Sequence, residues 1–163
     1  MRKICFLLIL FVVAFSAVLT ACNEKVTAKD HLPEIYIQAF DSFMPLDEGL
    51  NGEMKYIAID MSNLNSLNIT GKEKILNHFK KYGVEVMEAS LEDLKQKGLF
   101  NERSLSLEGI LLSIKEVDIQ SDTKVQIEGS KYRSGLGAIG VITTVVYKDG
   151  KWQVEKANIT WIS

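Results

Sequence analysis

The sequence predicts an α+β domain in which helices come first and an antiparallel meander of four strands comes last. Three observations carry that reading. Apolar residues recur at helical spacing between Pro33 and Tyr82. From Leu105 onward the pattern changes to β-branched alternation. Asp149-Gly150 then sits between two such runs as a hairpin signal.

Pro33 opens the first helix. Tyr36, Phe40 and Phe43 fall on one face beside Ala39, and Pro45 ends the run. Gly49, Asn51 and Gly52 mark a loop. Lys55 to Met61 reads as a strand with Ile57, Ile59 and Met61 on one face. Thr70-Gly71-Lys72-Glu73 has the spacing of a capping box, in which the Thr70 hydroxyl and the Glu73 carboxylate bond each other's backbone N–H. Ile75, Leu76, Phe79 and Tyr82 follow, and Gly83 closes that helix. Val84 to Met87 is a short strand. Ser90 caps a further short helix, with Glu92 and Asp93 in the first turn and Lys95 and Lys97 in the last. That order complements the helix dipole, and Gly98 terminates the helix.

In the β region, Ile110, Leu112 and Ile114 alternate, and Val117 and Ile119 alternate in the opposite phase. A bulge near Lys115-Glu116 reconciles the two. Val125 and Ile127 begin the next strand, and Ile139 to Tyr147 is a long β-branched run. A two-residue turn at Asp149-Gly150 places Lys148 opposite Lys151 and Tyr147 opposite Trp152. The last strand runs to Trp161 with a phase slip near Lys156.

The N-terminus is of another kind. Met1-Arg2-Lys3 is followed by an uncharged run from Ile4 to Ala21, the layout of an export signal. It ends Leu19-Thr20-Ala21-Cys22, which resembles the lipobox of bacterial lipoproteins. The resemblance implies cleavage before Cys22, a diacylglycerol on its thiol, and anchorage on the extracytoplasmic face of the cell membrane. Two or more acyl chains hold a protein stably where one does not. The competing reading is an uncleaved membrane helix, since such a run is just long enough to span a bilayer. The expected division is a signal peptide at 1–21, a lipidated tether at 22–32 and one domain at 33–163.

Composition narrows the function. Nineteen basic residues face 21 acidic ones, and cleavage would remove Arg2 and Lys3 and leave the chain more acidic. No basic footprint for nucleic acid exists. Cys5 lies in the signal and Cys22 takes the lipid, so no thiol remains for a disulfide, a metal or a nucleophile. His31 and His78 lack a second ligand at metal spacing. No cofactor is implied.

Gly135-Leu136-Gly137-Ala138-Ile139-Gly140 is literally G-x-G-x-x-G. A strand follows it, where dinucleotide binding needs a helix, so it reads as a hairpin connection in which glycine supplies positive φ. Beside it Lys131, Tyr132, Arg133 and Ser134 place two cations, a phenol and a hydroxyl next to backbone amides. They are the candidate site for a small anionic ligand. Asp60 with Glu108 or Glu128 could pair as acid and base. Trp152 and Trp161 read as packing residues that could instead line a groove.

The order of elements is similar to the cystatin-like and NTF2-like group of folds. The tail Ser130 to Gly140, Tyr147 to Trp152 and Trp161-Ile162-Ser163 resembles lipoproteins of Bacillus-type bacteria, a resemblance that implies no activity. The expectation is a membrane-anchored, non-catalytic binding or interaction module, its partner an envelope protein or a small anionic ligand. The alternative is a small hydrolase or isomerase using an NTF2-like pocket.

Overall fold

A computed structural model describes residues 26–163. The expected signal peptide and lipidated Cys22 lie outside them. The chain opens with a 3-10 turn, Ala28–His31, whose Ala28 is buried, so part of the stretch assigned to the tether is folded. Three helices follow in order: α1 (Leu32–Phe43), α2 (Ile69–Phe79) and α3 (Leu91–Gln96). The strands are β1 (Tyr56–Asp60), β2 (Glu85–Glu88), β3 (Phe100–Asn101), β4 (Ser106–Ser121), β5 (Lys124–Ser134), β6 (Gly137–Lys148) and β7 (Lys151–Ile162).

The four-stranded meander of the cystatin-like or NTF2-like expectation is corrected here: one sheet has seven strands. Its order is β2-β1-β4-β5-β6-β7, with β3 paired to the start of β4. The meander β4–β7 is present, but β1 lies parallel to both β2 and β4 and extends it. β1, α2 and β2 thus form a βαβ unit joined edgewise to an antiparallel array. The physical reason lies in β1 itself. Tyr56, Ile57, Ala58 and Ile59 are all buried, as in a strand covered on both faces rather than one lying on a helix. Ile57 and Ile59 enter the main core. Tyr56 and Ala58 enter a smaller cluster with Ala89, Leu94 of α3, Leu107 and Leu111.

α1 carries the main core. Ile35, Tyr36, Ala39, Phe40 and Phe43 pack onto one face of the sheet, where Ile110, Leu112, Val125, Ile127, Ile139, Val141 and Val145 meet them. Phe40 sits edge-on to both Phe43 and Phe79, which brings α2 into the same core. Gly129 has no room for a side chain: a Cβ there would stand 2.7 Å from the Phe43 ring and 2.4 Å from the Ser113 carbonyl oxygen. Asp41 of α1 ties the two helices together. Both of its oxygens accept from Lys81 at 2.8 Å, and His78 Nε2 lies 2.6 Å from Oδ2.

Local signals fare well in the β half. The register slips between Ile114 and Glu116 and again opposite Thr144 and Val145, where the phase changes lie. At the last hairpin Asp149 has φ 54° and Gly150 φ 78°, the left-handed pair of a type I′ turn. Tyr147 then faces Trp152, and Lys148 faces Lys151. Ser90 caps α3 as expected, and the cap is a full capping box with Asp93. The capping box on Thr70 is corrected. The helix starts earlier, and the Asn68 carboxamide oxygen accepts from Gly71 N at 2.8 Å. Asparagine is the stronger N-cap, and one residue inside the helix Thr70 is simply exposed.

Candidate functional site

The basic segment on β5 has its cations already engaged. Lys131 is fully buried. Its Nζ donates to the carbonyl oxygens of Met44, Leu46 and Asp47 and to Asn51 Oδ1. Arg133 donates to the carbonyls of Leu50 and Gly52. Together the two side chains clip the loop that follows α1 against the sheet. Burial lowers the Lys131 pKa to about 8, and nearby Asp47 and Glu48 oppose the shift. Tyr132 points to the other face, where its hydroxyl donates to the Leu105 carbonyl and burial raises its pKa. Ser134 sits at the β5–β6 hairpin with its Oγ close to Gly137. The structure therefore brings Lys131 and Arg133 together on the loop 44–52 and sends Tyr132 elsewhere.

The glycines of the G-x-G-x-x-G string belong to that hairpin, but none of the three has positive φ. Their reason is close approach. A Cβ on Gly137 would meet Ser134 Oγ at 2.8 Å. One on Gly140 would lie 2.0 Å from Trp161 Nε1, because the indole lies against the Gly140 backbone.

Two concavities flank a ridge made by Asn63, Ile114 and Lys115. The larger, about 550 Å³, lies between the start of α1 and the outer half of β4. Leu32, Leu64, Val117 and Ile119 give its lining apolar surface, and Lys29, Tyr36, Asn65 and Ser66 add polar groups to the same lining. That size and mixture suit a small ligand with an apolar body and a polar head. Tyr36 belongs to the buried core, and burial raises its pKa.

The second concavity, about 480 Å³, opens on the face of the sheet turned away from α1. Asp60, Ser113, Glu128, Ser130 and Trp161 line it. Ser113 and Ser130 share a hydrogen bond of 2.8 Å across β4 and β5. Asp60 and Glu128 are thus brought to one groove, while Glu108 stands apart, paired with Lys55 at 2.9 Å. Each groove carboxylate has a partner: Asp60 accepts from Ser62 N, and Glu128 pairs with Lys115 at 2.9 Å.

The two tryptophans separate. Trp152 is core, edge-on to Tyr147, and its Nε1 finds no partner among the described residues. Trp161 is 47 % exposed. Sequence periodicity ranks both as packing residues. The signal that distinguishes Trp161 is the glycine directly opposite it, which cannot be read until the strand register is known.

Among the described residues no group of three or more His, Cys, Asp or Glu side chains is placed to hold a metal ion, and no helix is long and apolar enough to cross a membrane. No family model, no curated protein and no solved structure matches this chain.

Proposed function

We propose that the chain is a lipid-anchored, extracytoplasmic binding module, not an enzyme, that holds a small amphiphile in the cleft between α1 and β4. The observation that carries the reading is the lining of that cleft. Leu32, Leu64, Val117 and Ile119 share a cleft of about 550 Å³ with Lys29, Tyr36, Asn65 and Ser66. Lys29 at its edge supplies a cation for an anionic or dipolar head group. The cleft begins a few residues after Cys22, so a tether of ~3.3–3.6 Å per residue keeps it close to the bilayer. A hydrolytic or isomerising reading has less support, because both carboxylates of the other groove already carry partners.

Two measurements test the two halves of the proposal. Cys22→Ser removes the thiol that would take the diacylglycerol. The variant is expected to lose membrane retention and the mass of the lipid, and unchanged retention would sink the anchor. For the cleft, the probe is anilinonaphthalene sulfonate, an anionic amphiphile whose emission rises in an apolar site. Ser66→Trp fills the exposed mouth and is expected to abolish saturable binding. Equal binding by that variant would rule the cleft out.

A further inference from the structure

The face of the sheet opposite α1 carries a line of paired residues that the cleft does not use. Asp60 of β1 pairs with Ser113 of β4, Ser113 with Ser130 of β5, Ser130 with Gly140 of β6, and Gly140 with Trp161 of β7. Directly paired residues point to the same face of a sheet. Five positions on five strands therefore form one row, roughly 19 Å long at ~4.8 Å between strands. A carboxylate stands at one end, two bonded hydroxyls in the middle, and at the other end an indole that lies over the glycine beside it.

We propose that this row binds a neutral oligosaccharide. A pyranose ring has an apolar C–H face and a rim of hydroxyls. The Trp161 ring offers an electron-rich surface to the C–H face. Ser113 and Ser130 can each donate and accept, and Asp60 accepts, which matches hydroxyls that do both. The missing side chain at Gly140 lets the indole lie down on the backbone, at the level of the groove floor. The row crosses five strands, so it suits an extended chain lying on the sheet better than a flat heterocycle held between two walls. Charge selects among saccharides. Asp60 and Glu128 line the groove, Glu116 pairs with Glu128 in the neighbouring row, and Lys115 is the basic side chain at the wall. That excess of acid repels phosphate- and carboxylate-bearing polymers.

The site is independent of the amphiphile cleft, and the test keeps them apart. The full-length protein in detergent micelles is titrated by calorimetry with chito-, cello- and malto-hexaose, and with oligogalacturonate as the anionic counterpart. Saturable binding of at least one neutral chain is expected, with none of the anionic one. Trp161→Ala should weaken binding by about tenfold, the scale of one lost aromatic contact with its buried area, without moving the melting midpoint. Gly140→Ala tests the same geometry from the other strand. Its Cβ would lie 2.0 Å from Trp161 Nε1 and displace the ring, so it should reproduce the loss. Ser66→Trp, in the other cleft, should leave saccharide binding unchanged. The proposal is overturned if no neutral oligosaccharide binds at millimolar concentration, if oligogalacturonate binds as well as they do, or if Trp161→Ala and Gly140→Ala both bind like wild type.

Discussion

Trp152 and Trp161 share strand β7 and lie on opposite faces of one sheet, and nearly everything about their surroundings differs. Trp152 is 6 % exposed, stacked edge-on with Tyr147 and set into the core that α1 covers. Trp161 stands on the uncovered face over a glycine, above a row of hydroxyls. The same contrast runs along β5. Val125, Ile127, Gly129 and Lys131 point toward α1, while Gln126, Glu128 and Ser130 point away. On the covered face even a lysine is recruited to hold the fold together. On the open face polar groups are satisfied among themselves and remain accessible. The lesson is that residue type alone does not separate packing from binding in this domain; the face does.

Five substitutions and one titration can break or sharpen that contrast. The largest effect is expected at Trp152→Ala, at about 3–5 kcal/mol for a large aromatic removed from a core, against less than about 0.5–1 kcal/mol for Trp161→Ala at an exposed edge. Urea midpoints of the two variants decide it, and similar costs would mean that the two faces are not distinct. Lys131→Met comes next. It strands the buried Met44 carbonyl and the part-buried acceptors at Leu46, Asp47 and Asn51, and about 1–3 kcal/mol is expected for the unmade hydrogen bonds. The exposed Lys115→Ala should change stability by about 0.5 kcal/mol or less. A harmless Lys131→Met would show that the loop 44–52 needs no clip. Gly150→Val should cost about 1–3 kcal/mol, because a β-branched residue is strained at φ 78°. A preserved melting midpoint would argue against the type I′ turn.

The last test is a pH dependence. Lys131 releases its proton near pH 8 in the folded chain and near ~10.4 when unfolded. Between those values the unfolded chain binds more protons, so this group's contribution to stability rises with pH. Below pH 8 the desolvation cost of the ammonium is fully present. Wild type should therefore gain stability relative to Lys131→Met as pH rises from 8 to 10. A flat difference between them would mean the four oxygen acceptors fully offset the burial.

Periodicity and turn chemistry found the elements that depend on neighbours in the chain. The bulge after Ile114, the I′ hairpin and the Ser90 cap are all local, and all are in place. What it missed is long-range. The strand around Ile57 was visible, but its partners Ile110 and Val86 lie far along the chain, and nothing local announces a parallel pairing. The two-residue strand β3 is too short to have a period. The basic segment 131–134 was conspicuous because charge on a strand is conspicuous. Its partners are backbone carbonyls, which carry no sequence signature at all. The open-face row escaped for the same reason: Asp60, Ser113, Ser130, Gly140 and Trp161 become one feature only through four strand registers.

The placement of α1 has a consequence for the order in which the molecule can be made. Its apolar stripe of Ile35, Tyr36, Phe40 and Phe43 is covered by strands that all lie C-terminal to it, the last of them ending at Ile162. A chain emerging N-terminus first can bury part of that stripe on β1 and α2, through Phe79, but the cover from β5 to β7 appears only with the later strands. The meander is built from hairpins of adjacent segments and closes quickly once present. Until then the helix stays partly exposed. A core closed by late strands leaves the emerging chain short of its complete fold until the meander has been made.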